Sequence, residues 1–139
     1  IRLKFNPLAE IAGRRIVVVD DSIVRGNTMR ALVEMLFAAG AREVNVRISS
    51  PPVVSPCFYG IDMADEDELA AAHRSVEEMR EHVGATSLHY LSVDGMQWAT
   101  GLDEGSVCRA CFTRSYPTRL PHDRLAAKLR FETVGVTPA

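Results

Sequence analysis

The chain has 139 residues, with 16 basic and 18 acidic side chains for a formal net charge of −2, and 47% of it is apolar. That length suits one domain with a real core. The near-neutral, slightly acidic balance leaves no basic footprint for nucleic acid, and no window approaches the roughly 18 uninterrupted apolar residues of a membrane span. No charged-then-apolar signal peptide opens the chain, so the expectation is a soluble cytoplasmic protein. The start at Ile1, without an initiator Met, and an odd count of three cysteines point to a fragment, because a disulfide framework favours even numbers.

In chain order, residues 1–8 read as an extended lead-in, with Pro7 excluding a central strand. A polar turn, Gly13-Arg14-Arg15, precedes the β-branched run of residues 16–19, which is typical of a strand covered on both faces. The run ends in Asp20 and Asp21. A glycine-containing loop follows, and a helical pattern over residues 29–39 repeats Met29, Leu32, Val33 and Leu36, with Gly40 as its stop. Residues 43–48 alternate, with Val44, Val46 and Ile48 on one face. Strand, helix, strand in this order predicts a right-handed βαβ unit.

The proline-rich stretch 49–57 fits neither helix nor central strand, and it runs into Phe58-Tyr59-Gly60-Ile61-Asp62 as a candidate binding edge. Residues 65–73 read as a short helix with acids at its start. Ser75 and Glu78 have capping-box spacing for a helix that Gly84 closes. Residues 88–93 suggest a third strand, and Asp94-Gly95 a cap for a short helix over 96–100. A polar turn over 101–105 leads to Cys108-Arg109-Ala110-Cys111. A loop passes through Tyr116 and Pro117 to Pro121, and Asp123 caps a last helix over 124–131.

Two groups carry chemistry. Asp20 and Asp21 stand at the carboxyl end of a strand, where ligands bind in open α/β sheets. The loop after them opens a helix, whose first amides lack partners and whose dipole favours anions. The bland reading is a capping acid beside a solvated one. A receiver-type Mg2+ site explains the acids but gives Arg25-Gly26-Asn27-Thr28 no role. A sugar-phosphate reading uses everything: the carboxylates take a vicinal diol or Mg2+, Gly26 admits a phosphate to the backbone, Ser22 and Thr28 add hydroxyls, and Arg25 adds charge. Cys57, Cys108 and Cys111 form the second group. Cys57 alone reads as a small buried hydrophobe, and Cys-x-x-Cys alone as a redox pair or half of a zinc site. The three together suit zinc or an iron–sulfur cluster, which spacing alone does not separate. His73 and His82 read as solvated, His89 as core or edge, and none of the four histidines as catalytic. Trp98 and Tyr90 read as packing, and Glu77, Glu78 and Arg80 as a solvated helix face.

The wording Val19-Asp20-Asp21-Ser22-Ile23-Val24-Arg25-Gly26-Asn27-Thr28 resembles the phosphoribosyl-pyrophosphate (PRPP) motif of type I phosphoribosyltransferases, most of which carry Thr where this chain has Arg25. The resemblance continues through residues 46–52, 56–62 and 91–95 and through Cys108-x-x-Cys111-Phe112, and its wording is that of a glutamine-dependent subgroup. It implies a partial type I phosphoribosyltransferase α/β fold, a mostly parallel sheet flanked by helices. Residues 1–100 would form part of that domain, and 101–139 a cysteine-containing extension. It implies that ammonia from glutamine displaces pyrophosphate from PRPP to give 5-phosphoribosylamine, the first step of purine biosynthesis. Asp20 and Asp21 would be catalytic and hold Mg2+, and Ser22, Ile23, Val24, Arg25, Gly26, Asn27 and Thr28 would complete the PRPP site. It also implies a 4Fe–4S cluster on Cys57, Cys108 and Cys111 with a fourth cysteine upstream. A glutaminase domain in the same longer chain, purine nucleotides and a homotetramer are the implied partners. The alternative is a non-catalytic PRPP-sensing module.

Overall fold

The computed structural model describes residues 8–61 and 66–120. The predicted last helix and nearly all of the lead-in lie outside them. Among the described residues three parallel strands pair in the order β1 (Arg15–Asp20), β2 (Glu43–Ile48), β3 (Ser87–Tyr90). The register aligns Asp20 with Ile48 and Ile48 with Tyr90, so all three strands end at one edge. Helix α1 (Asn27–Ala38) connects β1 to β2, and α2 (Val76–Val83) precedes β3. The expected α/β class and the βαβ unit are both present.

The core lies between one face of the sheet and these two helices. Met29, Val33 and Leu36 of α1 and Met79 and Val83 of α2 are buried against Val44, Val46, Ile48 and Leu88. Each such side chain contributes roughly 1.5–3 kcal/mol on burial. The opposite face is open among the described residues. Val17 and Val19 are 61% and 71% exposed, which corrects the expectation that β1 is covered on both sides. β-Branched residues suit the extended backbone whichever face is covered, so a Val run alone does not report two covering layers. On that open face Ser87 donates to Asn45 (2.7 Å), and Arg47 donates to Ser87 (3.0 Å).

Other boundaries moved for local reasons. α1 starts at Asn27, earlier than the apolar pattern, because Gly26 supplies a left-handed N-cap (φ 81°). The helix expected over 65–73 is two 3-10 turns, Glu66–Glu68 and Ala70–Ala72. Between them Leu69 is extended (φ −76°, ψ 101°) and buried in the core. α3 (Val93–Thr100) is capped by Ser92, which accepts from Gly95 N at 2.9 Å, and not by Asp94. A Cβ on Gly95 would stand 2.9 Å from that Ser92 hydroxyl, so glycine leaves room for the cap. The capping box of α2 forms as expected between Ser75 and Glu78, and Gly84 ends the helix at φ 73°. Arg80, expected on a solvated face, ties Glu77 and the Ala85 carbonyl. Trp98 is 84% exposed, so it does not pack as expected. A bulky apolar residue favours burial, but α3 offers its indole no partner surface among the described residues. No described helix is long and apolar enough to cross a membrane.

Candidate functional site

The sheet delivers Asp20 to the edge where all three strands end. Its backbone is fixed from β2, since Ser49 donates to the Asp20 carbonyl through both its amide (2.9 Å) and its hydroxyl (3.2 Å). The chain then turns on its own acids. Asp21 N donates to Asp20 Oδ1 at 3.0 Å, and Ser22 N donates to Asp21 Oδ1 at 2.8 Å. One oxygen of each carboxylate therefore shapes the turn. Asp21 is exposed, and Asp20 is half-buried. Ile23 drops into the core and anchors the loop.

The rest of the loop is braced from below by residues far along the chain. The Val24 carbonyl accepts from Ala70 N at 2.9 Å. Arg25 pairs with Glu68 at 2.7 Å, and this hydrogen bond raises the guanidinium pKa further above its ordinary value. The loop's one cation is thus engaged by an acid, which changes the simple reading that it adds free positive charge. Gly26 is buried at φ 81°. A Cβ there would stand 3.1 Å from His82 Cδ2 and 3.5 Å from Met79 Cε. The glycine is required twice, by its left-handed backbone and by the floor beneath it. No side chain caps α1, so the amides that open it at Asn27 and Thr28 have no side-chain acceptor.

Sequence reasoning missed His82. It was expected to be solvated on α2, yet its Nε2 is buried with no partner among the described residues, and its ring lies under Gly26. The available signal was its position three residues after Met79, on the same helix face. His73 is exposed, with Nε2 3.2 Å from the Glu66 carbonyl, and His89 is exposed on β3. His122 lies outside the described residues.

The three cysteines are free thiols, Cys57 and Cys111 half-buried and Cys108 exposed. Cys111 is the second residue of a one-turn helix, α4 (Ala110–Thr113), and Cys108 lies just before it. Burial pushes the Cys111 thiol pKa up, and the nearby Cys57 and Cys108 push it the same way. The backbone bonds from Val54 and Ser55 to the Cys111 carbonyl set the Cys57 segment beside the Cys-x-x-Cys segment. Among the described residues no group of three or more His, Cys, Asp or Glu is placed to hold a single metal ion. Segments 54–59 and 111–118 are laced together around Cys57. The Cys111 carbonyl accepts from Val54 N (2.9 Å) and Ser55 N (3.1 Å), and Tyr59 OH lies 2.8 Å from Thr118 Oγ1.

No family model matches the chain. Related proteins do. The amidophosphoribosyltransferase of Synechococcus elongatus is 53% identical over 135 residues, covering 96% of this chain and 27% of that protein. The amidophosphoribosyltransferase of Bacillus subtilis is 48% identical over 128 residues, covering 88% and 27%. The solved structure of glutamine PRPP amidotransferase from B. subtilis, complexed with ADP and GMP, matches with a TM-score of 0.76 at 51% identity, over 81% of this chain and 26% of that one. The chain spans about a quarter of the length of the curated relatives it matches. Its parallel α/β arrangement is the one found in that part of a PRPP amidotransferase.

Proposed function

We infer that the chain is a segment of an amidophosphoribosyltransferase, the part that carries the PRPP loop. One observation carries this reading. Two acids at the end of a strand lead through a short loop to a left-handed glycine and an uncapped helix start, in a chain 53% identical to such an enzyme over 96% of its length. In the whole protein the reaction would be displacement of pyrophosphate from PRPP by ammonia released from glutamine in a separate domain. The product is 5-phosphoribosylamine, which enters purine biosynthesis.

The residues divide that work. The anomeric carbon gains positive charge as pyrophosphate departs. Asp20 and Asp21 would hold the ribose 2′- and 3′-hydroxyls, and their charge favours that cationic state. The amides and hydroxyls from Ser22 to Thr28 would cradle the 5′-phosphate. Arg25, tied to Glu68, fixes the loop's course more than it neutralises the phosphate. Most of the rate would come from positioning. The same carboxylates fit Mg2+, because each uses only one oxygen for the turn and keeps a second hard oxygen donor. Bound there, Mg2+ would offset the charge of the pyrophosphate.

Cys57, Cys108 and Cys111 would hold a 4Fe–4S cluster, with a fourth cysteine outside this chain. Three free, soft thiols on two segments that are hydrogen-bonded to each other suit that group. Each thiolate of a cluster binds a different iron, so cluster ligands stand farther apart than ligands of one ion. The lack of a single-ion site among the described residues is compatible with that spacing. In this proposal 101–139 is the cysteine-containing extension of the domain in 1–100. Purine nucleotides, a glutaminase domain and a cytoplasmic homotetramer complete it.

The test uses the full-length protein. Asp20→Asn with Asp21→Asn should lower PRPP-dependent amine formation by on the order of 100-fold or more, while glutamine hydrolysis in the separate domain persists. PRPP turnover unchanged in that variant would remove the assignment.

A further inference from the structure

Cys57 is gripped on both sides by one distant tyrosine. Before it in sequence, Tyr116 OH lies in hydrogen-bond contact with Ser55 Oγ and 2.7 Å from the Pro56 carbonyl. After it, the Tyr116 ring packs against Phe58 (centroids 5.2 Å apart, planes at 52°) and Tyr59 (6.2 Å, 57°). The direction of the hydrogen bonds follows from the inventory. A phenol has one proton and a carbonyl only accepts, so Tyr116 donates to Pro56, and Ser55 donates to Tyr116. Pro56 has no N–H, and its carbonyl is the handle that the backbone offers there. Ser55 is buried, so its hydroxyl needs this partner.

The other end of the clamp belongs to the Cys-x-x-Cys segment itself. The Cys111 carbonyl takes the Val54 and Ser55 amides, and Arg114 donates to the Val54 carbonyl at 3.0 Å while pairing with Glu66 at 2.8 Å. Arg114 does this from a left-handed conformation, φ 61°. Hydrogen bonds, an ion pair and ring contacts thus tie the Cys57 segment to the Cys111 segment.

We propose that Tyr116 is the positioning residue of the cysteine site. Its hydroxyl, held between Ser55 and Pro56, sets Cys57 opposite the Cys-x-x-Cys pair and so prepares the thiols for their cluster. The clamp on Cys57 stands on the hydrogen bonds. Its role in cluster assembly rests on the cluster reading given above.

The experiment separates the two. Full-length Tyr116→Phe keeps the ring contacts and loses both hydroxyl bonds. In reduced, chelator-stripped protein, alkylation of each cysteine by N-ethylmaleimide is followed by peptide mass spectrometry. Two lost hydrogen bonds predict about a tenfold faster reaction at Cys57, with Cys108, which is already exposed, unchanged. Ser55→Ala removes one of the same bonds with a smaller change of shape and should give an intermediate rate. The double variant should be no faster than Tyr116→Phe, because both act through one contact. Anaerobic reconstitution with iron and sulfide should then fill Tyr116→Phe more slowly than wild type and lose visible absorbance faster in air. Unchanged labelling of Cys57 in both single variants overturns the proposal, as does equal acceleration at Cys57 and Cys108, which would mean general loosening. If wild type takes up neither iron nor sulfide while Cys57 labelling still accelerates, the clamp stands and the cluster reading falls.

Discussion

From Asp20 to Thr28 consecutive residues supply the acids, the turn and the helix start, whereas the segments of Cys57 and Cys111 come together only because chain about sixty residues apart is laced by hydrogen bonds. The first site is written as a word in the sequence. The second is written as a set of contacts. Even so, both depend on distant chain for their final shape. The loop's floor is α2, through His82 and Met79 under Gly26, and its side wall is Glu68 and Ala70. A contiguous motif therefore specifies which groups are present, and tertiary packing decides where they stand.

Gly26 is where that division is most sharply broken. Gly26→Ala forces a left-handed alanine, costing about 1–3 kcal/mol, and drives its Cβ to 3.1 Å from His82. A loop displaced by on the order of 1 Å should raise the KM for PRPP about 100-fold in the full-length protein. Adding His82→Ala separates the two causes. If most of the loss returns, the floor sets the loop; if none returns, the backbone angle does. Alkylation of Cys57 should not change in either variant. A change there would show that the two sites are one cooperative unit.

The sequence disclosed much of this and concealed a definite part. β2 has the predicted bounds, because strict alternation of Val44, Val46 and Ile48 with polar residues has a single structural meaning. The α2 cap was readable because both members of the box lie within four residues. The two strand-end acids and the glycine were found by local order alone. What escaped was whatever needs a neighbour from elsewhere. Val17 and Val19 look like core until one knows which face the helices take. His82 looks solvated until Gly26 is placed on it. Trp98 looks buried until α3 turns out to present it outward. Tyr116 gave no signal at all, since its partners Ser55 and Pro56 are remote and carry no motif.

Tyr90 tests whether the loop's site extends along the strand ends. It aligns with Ile48, which aligns with Asp20, and its hydroxyl is buried without a partner among the described residues. Burial raises its pKa to about 12. The sign follows directly. The unfolded phenol ionises near 10, so the stability held by the neutral folded form is complete below that pH and is lost as pH rises toward about 12. Tyr90→Phe removes an unsatisfied polar atom and should stabilise the full-length protein by about 1 kcal/mol in denaturant titrations. It should also flatten the alkaline loss. A fall in PRPP affinity instead would place that hydroxyl in the ligand site.

Ser75 gives the smallest effect and the cleanest separation of the two regions. Its hydroxyl accepts from Glu78 N at 3.2 Å, and Glu78 answers to Ser75 N at 2.7 Å. The Ser75 amide foremost, and the Ser75 hydroxyl donating to the same Glu78 oxygen at 2.8 Å, hold the Glu78 carboxyl below its ordinary pKa. The box is therefore complete above the unfolded Glu pKa and is lost as pH falls through the lower folded value. Ser75→Ala should cost about 1 kcal/mol near neutral pH, and less in acid, where Glu78 is protonated in either protein. Because α2 carries His82 and Met79, frayed ends of that helix should loosen the floor under Gly26 and raise the KM for PRPP a few-fold. Residues 54–59 and 111–118 make no hydrogen bond to α2 in the described chain, so Cys57 labelling and iron content should match wild type. An effect on the cysteines equal to that on PRPP would mean that packing through the core couples the sites more strongly than their separate hydrogen bonds imply.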